Sequence, residues 1–339
     1  MSIERNYLQA PLFVWWDITY ACNLRCKQCY SNSGKPAPNE LSTKEVMALI
    51  SELGKMRVFY IYFLGGEPLL HPNFFNLAEH ARNCDIEVMM NTNGWFITEV
   101  VARKLEKIGF MHVRVSLDGA TPEVHDSIRG VKGSFEKAIN AIRILKKTSI
   151  HRIGISPTIF ADNAKEVSNL IELAISLGVD EMQLVQLCRT GRGKNVQPIN
   201  NTQLEHIRQI FNEARDKYKN QIDLSATEGI SINSLSEKEN KKLSGFFGCT
   251  GGRTCAAIEA DGRIQPCILY NVSAGNIRDN SFYDIWHHSS LFKKMRQIPK
   301  ECMPCSFSLC CSGNCPIERQ ESDLSQTYFV EKKFIERRR

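Results

Sequence analysis

The first 190 residues alternate between short apolar segments and amphipathic segments, which limits the folds that the chain can adopt. Nearly continuous apolar runs rich in Val, Ile, Phe, Tyr or Met are typical of buried parallel strands. Six such runs occur, at Phe13–Thr19, Val58–Leu64, Ile86–Asn91, His112–Leu117, Arg152–Ile159 and Glu181–Leu187. Helical periodicity follows them at Thr43–Lys55, Asn73–Cys84, Thr98–Ile108, Gly133–Lys147, Lys165–Leu177 and Thr202–Lys219. The alternation predicts an α/β fold with a parallel sheet, either open and doubly wound or a complete or partial barrel.

The segment after the first predicted strand carries a cysteine motif. A dinucleotide-binding sheet would place a G-x-G-x-x-G turn there, but this chain has C-x3-C-x2-C at Cys22, Cys26 and Cys29. Thiolates suit soft metals and iron–sulfur clusters, and active sites collect at the carboxyl ends of parallel strands. Three ligands would leave one iron of a four-iron cluster open. The alternative is a zinc knuckle with a distant fourth ligand, since the next histidine is His71.

Composition limits the location and the partners. The N-terminus has no apolar signal segment and no long apolar run occurs, which predicts a cytoplasmic protein without a membrane span. In that compartment, 13 cysteines indicate metal or redox chemistry rather than disulfides, and eight of them lie between Cys249 and Cys315. The net charge of +6 is mild and forms no basic stripe, so no nucleic-acid partner is predicted.

The C-x3-C-x2-C motif followed by Tyr30 resembles that of the radical S-adenosylmethionine (radical SAM) superfamily. Four further segments match in order at successive strand ends: Gly65-Gly66-Glu67-Pro68, Thr92-Asn93-Gly94, Ser116-Leu117-Asp118-Gly119 and Arg129-Gly130. The resemblance covers roughly residues 12–190. It implies a partial (β/α)6 barrel of the TIM-like type.

The resemblance also implies roles for these residues. Cys22, Cys26 and Cys29 would hold a [4Fe–4S] cluster whose open iron binds S-adenosylmethionine. The methionyl amino group would lie on the segment from Gly65 through Gly66 and Glu67 to Pro68, beside Thr92 and Asn93. The remaining contacts would come from Ser116 and Asp118 to the ribose and carboxylate, Arg129 to the carboxylate, and Tyr30 near the adenine. A radical SAM enzyme cleaves the cofactor to a 5′-deoxyadenosyl radical, which takes hydrogen from the substrate.

The C-terminal cysteines have a second pattern, Cys249-x5-Cys255-x11-Cys267 and then Cys302-x2-Cys305-x5-Cys311-x3-Cys315. Together with the segments 275–278 and 281–286, it resembles the SPASM extension of radical SAM maturases. By that resemblance one auxiliary [4Fe–4S] cluster would be held by Cys249, Cys255, Cys267 and Cys315, and a second by Cys302, Cys305 and Cys311. The family's further downstream cysteine is missing, so Cys310, Asp323 or an open iron would replace it, or the second cluster is lost. A bare zinc ribbon is the alternative.

The predicted division of the chain is a radical SAM partial barrel at residues 1–200, a helix and bridging region at 201–248, a SPASM-type domain at 249–315 and a polar tail at 316–339. Cys188, at the end of the sixth predicted strand, is a candidate hydrogen donor to a substrate radical, with a structural role as the alternative. The turn Gly191-Arg192-Gly193 is expected to border the substrate or cofactor.

Three functions remain open. The first is a maturase for a ribosomally made peptide, acting by cross-linking, decarboxylation, epimerisation or oxidation. Because few residues precede the first strand, a leader-binding domain is expected from a separate protein, and an electron donor of flavodoxin or ferredoxin type is expected as well. The second is modification of a tetrapyrrole side chain, a small-molecule substrate, in an alternative haem pathway. The third, from another class, is a non-catalytic iron–sulfur electron carrier.

Overall fold

The computed structural model describes residues 7–227 and 249–303. Within them the strands are β1 Phe13–Asp17, β2 Tyr60–Leu64, β3 Glu87–Thr92, β4 Phe110–Val115, β5 Arg152–Ile155, β6 Thr158–Ile159, β7 Glu181–Gln186, β8 Asp223–Ala226, β9 Cys255–Ile258, β10 Arg263–Gln265 and β11 Gly275–Asn276. The helices are α1 Thr43–Lys55, α2 Phe74–Asn83, α3 Glu99–Ile108, α4 Pro122–Arg129, α5 Ser134–Leu145, α6 Val167–Ser176, α7 Asn201–Tyr218, α8 Phe282–His288 and α9 Ser290–Arg296.

The sheet has its strands in sequential order through the first part of the chain. Strands β1, β2, β3, β4, β5 and β7 are parallel neighbours, and β8 pairs parallel with β7. Helices connect successive strands, as crossover connections between parallel strands require. The parallel α/β prediction with a partial barrel is confirmed.

The two faces of the sheet differ because side chains alternate along a strand. Val14 and Trp16 of β1 are fully buried in one hydrophobic core with helix residues such as Leu49 and Leu53 of α1. Alternate residues, beginning with Phe13, lie on the opposite face, which forms the inside of the barrel. The helix residues of this core therefore pack on the outer face of the sheet.

Helix α4 was missed by the sequence analysis. Thr121 caps it, since its hydroxyl accepts from the Val124 amide, and Pro122 occupies the first turn, where the missing N–H costs nothing. Gly130 ends it in the left-handed conformation, with φ of 73°. The helix is short and polar, so its hydrophobic periodicity is weak. The residues at its two ends indicate the helix better than the periodicity does.

The predicted strand Arg152–Ile159 is in fact two strands, β5 and β6, separated at Pro157. Proline has no N–H to donate to a neighbouring strand, so the ladder is interrupted there. The Pro157 carbonyl still accepts from the Val185 amide of β7 at 2.9 Å.

The cysteine-rich region extends the barrel sheet. Strand β9 pairs parallel with β1, with Phe13 opposite Cys255, and then continues antiparallel through β10 and β11. The hairpin between β9 and β10 turns at Gly262, which has φ of +86°. In the residues that the structure describes, no helix combines the length and the apolarity needed to cross a membrane.

Candidate active site at the carboxyl ends of the strands

The loop that follows β1 carries the three clustered cysteines. Its base is closed by two hydrogen bonds, from the Cys22 amide to the Gly34 carbonyl and from the Gly34 amide to the Tyr20 carbonyl, both 2.9 Å. We call residues 18–34 the cysteine loop. It lies at the carboxyl end of the first parallel strand, where the sequence predicted the site.

Each of the three cysteine sulfurs has a donor aimed at it. The Leu24 amide lies 3.5 Å from Cys22 Sγ, and the Ser33 amide lies 3.4 Å from Cys29 Sγ. The Arg129 guanidinium donates to Cys26 Sγ at 3.7 Å. Hydrogen bonds to sulfur are among the groups that tune iron–sulfur clusters, so the donor set fits three thiolate ligands of such a cluster.

Burial disfavours the charged form of the Cys22 and Cys26 thiols. It raises the pKa of Cys22 to about 11, and it raises the pKa of Cys26 despite the nearby Arg129. Metal binding therefore has to displace protons. In the described parts of the chain, no three His, Cys, Asp or Glu side chains converge as the ligands of a single metal ion would. A four-iron cluster requires a wider arrangement, because each thiolate binds a different iron.

The C-terminus of α4 supports the cysteine loop from one side. The amides of Arg25 and Lys27 donate to the carbonyls of Arg129 and Ile128 at 3.1 and 2.9 Å. A Cβ on Gly130 would lie 2.8 Å from the Arg25 carbonyl oxygen, so glycine permits this close approach. The helix that the sequence analysis missed is thus part of the candidate site.

The Gly65-Gly66 turn at the end of β2 packs directly on the start of the cysteine loop. The Gly66 amide donates to the Thr19 carbonyl at 2.7 Å, and the Glu67 amide donates to the Ala21 carbonyl at 2.8 Å. A Cβ on Gly66 would lie 2.2 Å from the Ala21 carbonyl oxygen. Both glycines are needed for backbone contact between the two segments.

The Glu67 carboxylate joins the ends of β2 and β3. It is fully buried and accepts from the Thr92 hydroxyl and the Asn93 amide, both at 2.8 Å. Burial raises its pKa to about 7. Pro68 is buried in the following turn, and the Asn93 side chain donates to Asn23 Oδ1 at 2.9 Å. The structure therefore brings these predicted residues together. The hydrogen-bond donors to the Glu67 carboxylate are groups of this chain.

Asp118 and Arg129 form a buried ion pair of 2.7 Å. Asp118 also accepts from the Thr158 amide at 2.8 Å and from the Gln28 side chain, and burial raises the pKa of Asp118. Two buried atoms here, Gln28 Oε1 and Arg129 Nε, have no hydrogen-bond partner among the described residues. Buried polar atoms normally have partners, so these positions fit a polar cofactor that would complete them.

The remaining predicted cofactor residues lie around the same strand ends. The Ser116 amide donates to the Thr92 carbonyl at 2.9 Å, next to the Glu67 group. The Tyr30 hydroxyl donates to Asp17 at 2.6 Å, so its ring tip is tied to the end of β1. Burial raises the pKa of Asp17 to about 7, although the bond from Tyr30 opposes this.

Cys188 lies beside the cysteine loop, as its position after β7 predicted. Its sulfur is 3.1 Å from the Thr190 hydroxyl, which in turn donates to the Tyr30 carbonyl at 3.1 Å. The turn Gly191–Asn195 follows and contacts the same loop. This turn lies against the backbone of Cys26 and Cys29, two of the predicted cluster ligands.

The auxiliary cysteines are described in part. Cys255 is fully buried in β9, and Cys249, Cys267 and Cys302 are half-buried. Cys305, Cys310, Cys311, Cys315 and Asp323 lie outside the described residues. A polar connection joins this region to the cysteine loop, since the Tyr20 hydroxyl donates to Glu259 at 2.8 Å.

The barrel interior has an aromatic wall and a charged wall. The rings of Phe13 and Tyr60 stack at 4.8 Å, and the Trp15 ring packs edge-on against Phe13. On the other side, Glu181 pairs with Arg114 and Arg152. The nearby His112 has its pKa lowered to about 3 by burial and by the two arginines, so it is neutral.

Several residues of this site were not singled out from the sequence. Gln28 and Asn23 lie inside the cysteine motif, so their position was a usable signal. Asp17 is the last residue of the first strand, and this position was the only sequence signal for its role in the site. Arg192 lies in the turn that the sequence places at the site, but its contact with the Cys26 carbonyl spans 166 residues and the sequence pattern does not reveal it.

Comparisons with known proteins agree with this geometry. The family model of the radical SAM superfamily matches residues 16–174, and the model of SPASM, an iron–sulfur cluster-binding domain, matches residues 249–315. Mycofactocin maturase MftC from Mycolicibacterium smegmatis is 34% identical over 320 residues, covering 93% of this chain and 80% of that protein. AdoMet-dependent heme synthase from Methanosarcina barkeri is 31% identical over 323 residues, covering 90% and 91%.

The fold matches a solved structure as well. The crystal structure of Streptococcus suis SuiB bound to precursor peptide SuiA is similar with a TM-score of 0.77 at 18% identity, covering 94% of this chain and 74% of SuiB. The radical SAM domain binds a [4Fe–4S] cluster and S-adenosylmethionine, and the SPASM domain indicates auxiliary iron–sulfur clusters. This chain therefore belongs to the radical SAM superfamily and is an enzyme of the subgroup that carries a SPASM domain.

Proposed function

We propose that this chain is a radical SAM maturase that abstracts hydrogen from a ribosomally made peptide, with Cys22, Cys26 and Cys29 holding the catalytic cluster. The observation that carries the assignment is the donor set of the cysteine loop, in which each sulfur accepts from a protein N–H. The open iron would face the strand ends where Glu67 and Asp118 are buried.

The cofactor supplies the radical chemistry. When bound, the reduced cluster and S-adenosylmethionine would supply the electron for cleavage of the sulfonium C–S bond, with methionine and a 5′-deoxyadenosyl radical as products, and the radical would take hydrogen from the substrate. The barrel contributes orientation and excludes water from the reactive species.

The protein's own residues bind and orient the cofactor. In this proposal the backbone of Gly65 and Gly66 contacts the methionyl amino group. Glycine is needed at both positions because a Cβ there would clash with the cysteine loop. Glu67, through Thr92 and Asn93, fixes the ends of β2 and β3 beneath the cofactor. Pro68 begins the turn that follows this segment.

The opposite side of the cofactor site is polar. Ser116, Asp118 and Arg129 line it. The unpartnered Arg129 Nε would supply a donor for the carboxylate, and the unpartnered Gln28 Oε1 would supply an acceptor for a ribose hydroxyl. Tyr30, held by Asp17, closes the site toward β1. Cys188 is the proposed hydrogen donor to a product radical, because its thiol lies beside the same loop.

The auxiliary clusters are assigned to the SPASM region. Cys249, Cys255, Cys267 and Cys315 would hold the first, and Cys302, Cys305 and Cys311 the second, with Cys310 or Asp323 as a further ligand. They would relay electrons, with a flavodoxin or ferredoxin as the external donor. A separate protein would present the leader segment of the peptide.

A peptide substrate is supported by the maturase relative MftC and by the aromatic wall of the barrel interior, which accommodates apolar side chains. SuiB, which was crystallised with its precursor peptide, has the same fold. Fold alone does not determine the substrate. The similarity to SuiB therefore supports only that a barrel of this fold can accommodate a peptide.

A tetrapyrrole is the second candidate substrate. A tetrapyrrole is a flat ring with carboxylate side chains, and the stacked rings of Phe13 and Tyr60 offer an apolar surface for such a ring. The heme synthase relative matches along 91% of its length, which favours this candidate as an alternative.

The test is anaerobic reconstitution with iron and sulfide, followed by dithionite and S-adenosylmethionine. We expect 5′-deoxyadenosine, and no product from Cys26→Ala. Adding a peptide encoded beside the gene, or iron coproporphyrin in a parallel reaction, should accelerate its formation only for the correct substrate class. Absence of 5′-deoxyadenosine from fully loaded protein contradicts the proposal and leaves the electron carrier.

A further inference from the structure

The turn after β7 holds the cysteine loop through one arginine. The Arg192 Nε donates to the Cys26 carbonyl at 2.8 Å, and its Nη1 donates to the Ser33 carbonyl at 2.9 Å and to Asn32 Oδ1 at 3.0 Å. The Arg192 amide also donates to the Cys29 carbonyl at 2.9 Å. One residue thus binds four points spread over the loop.

Two glycines make this contact possible. A Cβ on Gly191 would lie 2.3 Å from the Tyr30 carbonyl oxygen, and Gly191 is in the left-handed region with φ of +53°. A Cβ on Gly193 would lie 2.3 Å from the Cys188 carbonyl oxygen. A larger residue at position 191 would push the turn away from the loop, and a larger residue at position 193 would clash with the chain just before the turn.

The contacts require an arginine rather than a lysine. Guanidinium presents donors in a fixed planar fork, which reaches several oxygens at once, whereas an ammonium is a single point of charge. The oxygens here belong to three residues, Cys26, Asn32 and Ser33. Asn32 itself has a positive φ of 53°, a conformation that the bond from Arg192 helps to retain.

We propose that Arg192 is a positioning residue, which fixes Cys26 and Cys29 in the geometry in which they bind two of the three cysteine-ligated irons of the catalytic cluster. The proposal rests on the assignment of these cysteines in the proposed function. Arg192 acts through the loop backbone and is distinct from Arg129, which contacts Cys26 Sγ itself.

The positive charge adds an electronic effect. A cation next to an iron–sulfur cluster favours the more negative, reduced form, and cluster potential depends on nearby charge and hydrogen bonds. Arg192→Lys keeps the charge and loses the fork, whereas Arg192→Gln loses both. The two variants therefore separate geometry from charge.

The first experiment needs no cluster. Hydrogen exchange of the apo-protein should show the amides of residues 22–34 exchanging about tenfold or more faster in Arg192→Gln, because a charged hydrogen bond to the loop is lost. Arg192→Lys should show a similar increase. The exchange rates of the β3 amides should be unchanged in both variants. Arg189→Gln is the matched control, because Arg189 is an exposed neighbour on the same turn, and it should leave all exchange rates unchanged.

The second experiment uses the reconstituted full chain. Electron paramagnetic resonance distinguishes the catalytic cluster, because its signal shifts when S-adenosylmethionine binds iron. In Arg192→Gln that shifting signal should fall relative to the signals that do not shift, and its midpoint potential should become more negative. Arg192→Lys should have the wild-type midpoint potential, but its shifting signal should be as weak as that of Arg192→Gln.

The outcomes are separable. Unchanged loop exchange in Arg192→Gln would overturn the positioning role, whatever the cluster does. Faster exchange with equal loss of all cluster signals would also overturn it, since that pattern indicates a general structural role. If no signal shifts with S-adenosylmethionine even in the unaltered protein, the proposed function fails, and the exchange experiment still decides whether Arg192 holds the loop.

Discussion

Arg129 and Asp118 form a 2.7 Å ion pair in which the carboxylate is fully buried. The same guanidinium donates to Cys26 Sγ, so the pair couples the end of α4 to the cysteine loop. Sequence resemblance assigned both residues to the cofactor, and the structure adds that they are partners of each other. Removing either one changes the environment of the other.

Arg129→Gln should lower the free energy of unfolding by about 3–5 kcal/mol, because Asp118 would be left buried without its counterion. Urea unfolding of the apo-protein measures this. Adding Asp118→Asn should recover part of the loss, since the orphaned charge is then removed. Arg143→Gln, at an exposed position of α5, is the matched control and should change little. Strictly additive losses in the double variant would show that the two groups are not coupled.

Gly66 should tolerate no side chain. Gly66→Ala places a Cβ 2.2 Å from the Ala21 carbonyl oxygen and should destabilise the apo-protein by about 1–3 kcal/mol through overpacking. It should also weaken S-adenosylmethionine binding by displacing the cysteine loop. Equilibrium dialysis of the reconstituted protein measures that affinity.

Gly178→Ala is the comparison for this variant. Gly178 has φ of +65° with nothing within 4 Å, so alanine there adds backbone strain of about 1 kcal/mol but no clash. We expect cofactor affinity to be unchanged. If Gly178→Ala weakened binding as much as Gly66→Ala, the loss would reflect general stability rather than the contact with the loop.

The order of the strands and the residues at their ends were predictable from the sequence. Each apolar run is short and followed by a polar or glycine-containing segment, so the carboxyl ends of β1 to β4 bring Cys22, Glu67, Asn93 and Asp118 to one edge. Parallel topology alone produces this convergence.

The partners within the site were not predictable in the same way. The bond from Arg192 to Cys26 and the pairing of β9 with β1 join residues far apart in the chain. Local periodicity carries no information on such contacts. Helix α4 escaped notice because its end signals, Thr121 and Gly130, lie in a polar stretch.

Asp17 should make stability depend on pH. Burial raises its pKa from 3.8 to about 7, so the folded state holds the proton more tightly than the unfolded chain. Its contribution to stability is complete below about pH 4 and is lost as pH rises through about 7. The total change is at most about 4 kcal/mol.

Asp17→Asn removes this dependence while keeping an acceptor for Tyr30. Urea unfolding of the apo-proteins at pH 5 and pH 8 should show the variant gaining stability relative to the wild type as pH rises. The comparison is needed because Glu67, whose pKa is also about 7, titrates over the same range in both proteins. Asp279→Asn, an exposed control, should show no such trend. A pH-independent difference for Asp17→Asn would contradict the prediction.

The iron content should reveal how many auxiliary clusters the chain holds. Three four-iron clusters give about twelve irons per chain, with seven cysteines assigned to the two auxiliary clusters. Cys302→Ala should reduce this to about eight while 5′-deoxyadenosine formation without substrate continues, because the catalytic cluster is separate. Cys84→Ala, at the end of α2, is the cysteine control and should lose no iron.

The proposed second auxiliary cluster has three cysteine ligands, Cys302, Cys305 and Cys311, and its fourth ligand is unassigned. If Cys310 supplies it, Cys310→Ala should lower iron content as Cys302→Ala does, and Asp323→Asn should not. If the fourth iron of this cluster is open, neither substitution lowers the iron content. An added thiol should then bind that iron and shift the auxiliary signal in electron paramagnetic resonance.

A wild-type iron content near eight per chain, with the same content in Cys302→Ala, would show that this chain holds only one auxiliary cluster.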